Sequence, residues 1–137
     1  MKRFFPLIFS LMIVFAMSCE GLEFSVDCSE CTAEEPYEAT LKCQIDLVYD
    51  ETLVQVWEGK LEDSILVDSR LILLSSVFEK NVALNKQYTI TATYIIDNKT
   101  YVAVDSASPK VKRSKSKCDE LCYYVYGNEV NLRLKYR

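Results

Sequence analysis

The chain contains no histidine. That absence removes imidazole as a general base, as a triad member, as the partner of a cysteine nucleophile and as a metal ligand. Glycine and proline are scarce, at three each in 137 residues, which excludes collagen-like and low-complexity architectures. No segment repeats at a solenoid or propeller period. Basic charge is in deficit, with 16 Lys and Arg against 20 Asp and Glu. Nonspecific nucleic-acid binding needs a net basic surface, so no nucleic-acid partner is expected. The scattered carboxylates form neither a D-x-D-x-D-G calcium loop nor a comparably spaced pair. Neither a metal nor any other cofactor is expected, and the chain reads as a non-enzyme.

What is present begins with an export segment. Lys2 and Arg3 precede an almost wholly apolar run from Phe4 to Met17, which Ser18, Cys19 and Glu20 end abruptly. Basic, apolar and small, in that order, is the secretory pattern. The run is about 14 residues, short of the ~20 that a spanning helix needs. Residues 1–18 are therefore read as a cleaved signal peptide. Ala16-Met17-Ser18-Cys19 resembles a bacterial lipobox with Ala16 in the usual leucine place. The resemblance implies a lipid on the Cys19 thiol, and two or more acyl chains suffice for stable anchoring. Ala16-Met17-Ser18 also suits an ordinary signal peptidase, which would leave an unmodified Cys19. Removing the signal leaves 119 residues, a single-domain length. Residues 19–27 read as a short lipid-attached tether and residues 28–137 as one domain.

Within that domain the period is two. Leu41, Cys43, Ile45, Leu47 and Tyr49 share one parity, and Leu53 to Trp57 and Ile65 to Val67 form further strands. Arg70 to Phe78 fits a helical stripe or a buried strand, and its neighbours favour strand. Tyr88, Ile90, Ala92, Tyr94 and Ile96 alternate with three threonines, turn at Asp97-Asn98 and return through Tyr101 to Val104 as a hairpin. Tyr88, Tyr94 and Trp57 carry core parity. Tyr123 to Tyr126, Gly127-Asn128 and Val130 to Tyr136 read as a final hairpin. The basic run Lys110, Lys112, Arg113, Lys115 and Lys117 reads as a solvated loop. Short strands with frequent turns predict an all-β fold, an antiparallel β-sandwich.

Five cysteines follow Cys19, namely Cys28, Cys31, Cys43, Cys118 and Cys122. The first two and last two could compose a four-thiolate zinc site, but the second spacing is too long and an exported domain is oxidised. Disulfides are expected instead, tying the start of the domain to its C-terminal strands. Cys43 has core parity and either pairs or stays a small buried hydrophobe. With Cys19 lipidated, five thiols leave at least one free.

Leu84-Asn85-Lys86-Gln87-Tyr88-Thr89-Ile90-Thr91-Ala92 resembles the start of a late strand in fibronectin type III and immunoglobulin-like sandwiches. The resemblance implies that Tyr88 forms a corner, its hydroxyl bonding back to the main chain. The lipobox, Cys28-x-x-Cys31 and the ending from Cys118 to Leu134 together resemble small, uncharacterised lipoproteins of Bacteroides-type bacteria. That likeness implies an address, the outer membrane reached through Cys19, and a fold rather than an activity. The expected role is a non-enzymatic envelope module that binds a protein partner or supports an assembly. The alternative is a glycan-binding accessory module. Tyr123, Tyr124 and Tyr126 are the candidate partner patch, because adjacent tyrosines on a strand must face opposite sides.

Overall fold

The computed structural model describes residues 28–47, 51–62, 65–114 and 121–135. The signal peptide, Cys19, the tether, Cys118, Lys115 and Lys117 lie outside the described residues. Among the described residues a short 3-10 turn, Cys28–Glu30, is followed by nine strands. These are β1 Glu38–Gln44, β2 Glu51–Glu58, β3 Ile65–Leu73, β4 Val77–Ala83, β5 Tyr88–Ile96, β6 Lys99–Ala107, β7 Lys110–Ser114, β8 Cys122–Tyr126 and β9 Glu129–Asn131. The described fold is nearly all β, as the alternation predicts.

The strands form a sheet in the order β4-β1-β9, a second in the order β3-β2-β5-β6, and the two-stranded β7-β8. One core lies between the first two. Leu41, Cys43 and Ile45 meet Phe78, Val82, Val130 and Leu132 from one side, and Val54, Val56, Ile90, Ala92 and Tyr94 from the other. Alternation dictates this split, since each strand can give only every second side chain to the core. Tyr94 is fully buried. Its hydroxyl donates to the Leu132 carbonyl at 2.8 Å and accepts the Asp46 N–H at 3.2 Å, joining β5 to the segments that follow β1 and β9 at one end of the opposite sheet.

The β5–β6 hairpin forms in the expected register, with Tyr94 opposite Tyr101 and Ile96 opposite Lys99. Its turn residues Asp97 and Asn98 have φ of 48° and 60°. Two successive positive φ values are what a two-residue turn needs to match strand twist. Tyr88 is buried, and its hydroxyl donates to the Ala83 carbonyl at 3.0 Å. That is the corner bond its sequence context implies.

One open reading resolves to strand, and three expectations are corrected. The ambiguous stretch after Arg70 is β-structure, but Ile65 to Leu73 is one long strand that ends where Leu74 takes φ 52°. Trp57 does not face the core. Val54 and Val56 point inward, so Trp57, opposite Thr89 and Leu66, stands on the outer face of the four-stranded sheet. Lys110 to Ser114 is a strand, not a solvated loop, because its backbone pairs with β8. The final hairpin does not form, either. After Gly127 the chain leaves β8, and β9 runs parallel to β1, with Lys42 opposite Glu129 and Gln44 opposite Asn131. Burial of Val130 and Leu132 in the shared core drives that departure. The pairing adds a parallel contact to an otherwise antiparallel fold.

The outer face of the four-stranded sheet is poor in charge, which among its paired positions is carried by Glu51 alone, opposite Leu73. Its cross-strand rows read Leu71, Leu53, Thr93, Val102, then Ser69, Gln55, Thr91, Val104, then Leu66, Trp57, Thr89, Ser106. The two edge strands share a local device. Asp68 Oδ1 accepts the Ser69 N–H at 2.9 Å on β3, and Asp105 Oδ1 accepts the Ser106 N–H at 2.8 Å on β6.

Candidate functional site

The candidate patch lies on β8, which a disulfide and a bridge hold in place. Cys31 and Cys122 are bonded, with Cα atoms 5.2 Å apart and a sequence separation of 91. One residue further along each segment, Thr32 and Tyr123 exchange both backbone hydrogen bonds at 3.0 Å. Closing a loop of that length stabilises the fold by about 4–5 kcal/mol in the chain-entropy model. Cys28 is also disulfide-bonded. Both thiols of the bridge are thereby withdrawn from any thiolate metal site. Among the described residues no group of three or more His, Cys, Asp and Glu side chains converges.

Cys43 is free and fully buried on β1. Burial, with the Asp105 charge adding to it, pushes its thiol up to about 12. It behaves as a small core hydrophobe, since the thiolate needed for nucleophilic or ligand chemistry is suppressed at neutral pH.

β8 and the N-terminal half of β1 enclose an open cleft of about 670 Å³. Tyr123, Tyr124, Val125 and Tyr126 form one wall, and Glu38, Thr40 and Lys42 of β1 form the other, with Glu30 and Glu129 at its margins. Tyr124 and Tyr126 lie opposite Lys112 and Lys110 of β7, while Tyr123 lies opposite Arg113. Lys110, Lys112 and Arg113 of the basic run are therefore the cross-strand neighbours of the tyrosines. Tyr126 is exposed and the other two are half-buried. Gly127 closes the wall with φ +70°, and a Cβ there would sit 2.8 Å from the Ser108 carbonyl oxygen. Only glycine fits this position without displacing backbone.

The β1 wall is an incomplete edge. β9 covers β1 from Lys42 to Gln44 only. Ahead of that, Asn128 takes a strand's place: its carbonyl accepts the Lys42 N–H at 2.8 Å, and its side-chain amide donates to the Thr40 carbonyl at 2.7 Å. Glu38 lies beyond this reach. The cleft thus combines phenol rings, carboxylates, one ammonium and a short stretch of strand edge. Such a surface can bind by stacking and hydrogen bonding.

The sequence singles out the three tyrosines, and the structure brings them to one cleft. Glu30, Glu38, Lys42, Asn128 and Glu129 escape sequence reasoning, because exposed polar residues at long separations leave no spacing signal. Cys118, a disulfide candidate, and Cys19, the lipid-attachment candidate, lie outside the described residues. No helix among the described residues is long and apolar enough to cross a membrane. No protein-family model, no curated protein and no solved structure matches this chain.

Proposed function

We propose that this chain is an exported, non-enzymatic β-sandwich of the bacterial cell envelope. A lipid on Cys19 anchors it to the outer membrane, and it binds a partner protein through the tyrosine cleft. One observation carries the binding role: the three tyrosines of β8 and an uncovered stretch of β1 edge line one cleft. Strand edge favours a polypeptide over a glycan, because an extended peptide can satisfy main-chain groups that a sugar meets only singly. The aromatic and carboxylate lining is what a glycan reading would use.

The fold assignment belongs to the same proposal. Immunoglobulin-type sandwiches place strands B and E in one sheet and C, F and G, with C′ in variable types, in the other. The orders β4-β1 and β3-β2-β5-β6 support that arrangement, with Tyr88 as the corner at the start of F. Two departures qualify the family type. Ile90 stands two residues after the corner tyrosine, so Cys43 has no cross-sheet cysteine. β9, from the far end of the chain, fills the flank of B where strand A would lie.

The test uses protein extracted gently from membranes. Wild type is expected to co-purify with a discrete partner that the double variant Tyr124→Ala, Tyr126→Ala loses while remaining folded. Identical partners for both would refute the cleft. Retention on a polysaccharide affinity gel, lost in the same variant, would select the glycan reading. Intact mass of the extracted chain is expected to begin at acylated Cys19. An unacylated Cys19 would replace the anchored protein with a freely secreted one.

A further inference from the structure

β3 is an edge strand of the four-stranded sheet, and it is the least edge-like sequence in the protein. Ile65 is 72 %, Leu71 54 % and Leu73 58 % exposed. Long apolar edges normally attract another strand. Its open side can be identified. The Gly59 N–H bonds the Gln87 carbonyl, so odd-numbered residues of β2 address β5 and even-numbered ones address β3. Asp68, Arg70 and Ile72, opposite Val56, Val54 and Thr52, therefore bond inward, and Ser69 and Leu71 turn their main-chain groups outward. The Ser69 N–H agrees, being taken by its own neighbour's carboxylate.

The sequence of this edge is self-complementary about Ser69. In Val67-Asp68-Ser69-Arg70-Leu71, an antiparallel copy centred on Ser69 sets Asp68 against Arg70, Arg70 against Asp68, and valine against leucine at both flanks. Acid meets base on both sides of the axis and apolar meets apolar beyond them, Val67 being the residue that a bulge leaves without a partner on β2. β6, the other edge of the sheet, has no centre that sets acid and base directly beside the axis: Val104 would set Asp105 against Ala103, and about Val102 Lys99 and Asp105 meet only three residues out. The charges lie on the side that also carries Lys80. Arg70 and Lys80 approach Asp68 Oδ2 at 3.1 and 3.2 Å, and the Arg70 side chain is 55 % exposed, available to a second carboxylate. Burial would raise the Asp68 carboxyl, but Lys80 and Arg70, with the Ser69 N–H, outweigh it and hold it below its ordinary value.

We propose that β3 is a homodimer interface, in which two copies of this chain pair their β3 strands antiparallel about a two-fold axis through Ser69. An isologous contact of this kind closes on itself, whereas β3 on β6 would build an open filament. Pairing replaces the Asp68 side chain with the second copy's Ser69 carbonyl as acceptor of the Ser69 N–H. It also joins two four-stranded sheets into one of eight, with a continuous outer face poor in charge.

The test uses the full chain. Sedimentation velocity across concentration is expected to show a monomer–dimer equilibrium. Arg70→Asp, which sets two carboxylates face to face, is expected to raise the dissociation constant at least tenfold with an unchanged far-UV spectrum. Directly opposed residues of a hydrogen-bonded pair lie ~5.5 Å apart, within disulfide reach. Ser69→Cys should therefore yield a species of doubled mass on oxidation, and Ser106→Cys on β6 should not. Monomer at every concentration, or Ser69→Cys cross-linking no more than Ser106→Cys, overturns the proposal. Cross-linking of Ser69→Cys to a different protein overturns it too.

Discussion

Replacing Tyr94 by phenylalanine removes one oxygen from the centre of the fold and leaves the ring in place. That oxygen donates to the Leu132 carbonyl at 2.8 Å and accepts the Asp46 N–H at 3.2 Å. Leu132 is fully buried, so its carbonyl loses this donor where water cannot substitute. A buried polar group deprived of its partner costs about 1–3 kcal/mol, and a net hydrogen bond contributes about 1 kcal/mol. The partly buried Asp46 amide adds the smaller amount, giving a loss of about 2–3 kcal/mol. For a domain of this size that lowers Tm by about 10 °C. Urea unfolding should show a lower midpoint with an unchanged slope, because the exposed surface is the same. Tyr88→Phe, which removes a single part-buried bond to Ala83, is the internal control at about 1 kcal/mol. A loss below about 0.5 kcal/mol for Tyr94→Phe, or a larger loss for Tyr88→Phe, would refute the reasoning.

Other consequences can be measured separately. The double variant Cys31→Ser, Cys122→Ser should lose about 2–5 kcal/mol, read by urea titration under non-reducing conditions. Gly127→Ala should cost at least about 2 kcal/mol, since it combines a left-handed backbone with a main-chain clash. In the native protein Cys43 should react with a thiol reagent no faster than the chain unfolds, followed by mass spectrometry. Because its folded value of about 12 exceeds the ordinary thiol value of 9.0, the unfolded chain loses this proton first as pH rises. The contribution is fully present below pH 9 and is lost as pH climbs through about 12. Cys43→Val should flatten that alkaline decline.

Local pattern made some elements legible and hid others. The β5–β6 hairpin declares itself because turn residues and both alternating strands are contiguous. Tyr88 was readable as a corner since its bond spans only five residues. β9 was not: Val130 and Leu132 alternate in either pairing, and their true neighbour, Cys43, lies far away in sequence. β7 looked like a solvated run because only Val111 interrupts its polar side chains, whereas its pairing with β8 is a main-chain property. Trp57 was misread because hydrophobicity alone does not reveal which parity a strand buries. At the cleft, the tyrosines stood out as three aromatics in four positions. The opposing carboxylates and the incomplete β1 edge arise only from tertiary placement.

The bridge between Cys31 and Cys122 also sets how the domain answers tension. Covalent bonds carry force before hydrogen bonds do. A pull applied ahead of Cys31 and behind Cys122 therefore passes straight through the sulfurs, and the 91-residue span between them is spared. Behind the bridge, β8 beyond Cys122, β9 and the residues after them remain in line with the force. They would peel from β7 and β1 while β1 to β7 stay packed. If anchored at its N-terminal side, the domain would extend by a short, defined length and then hold.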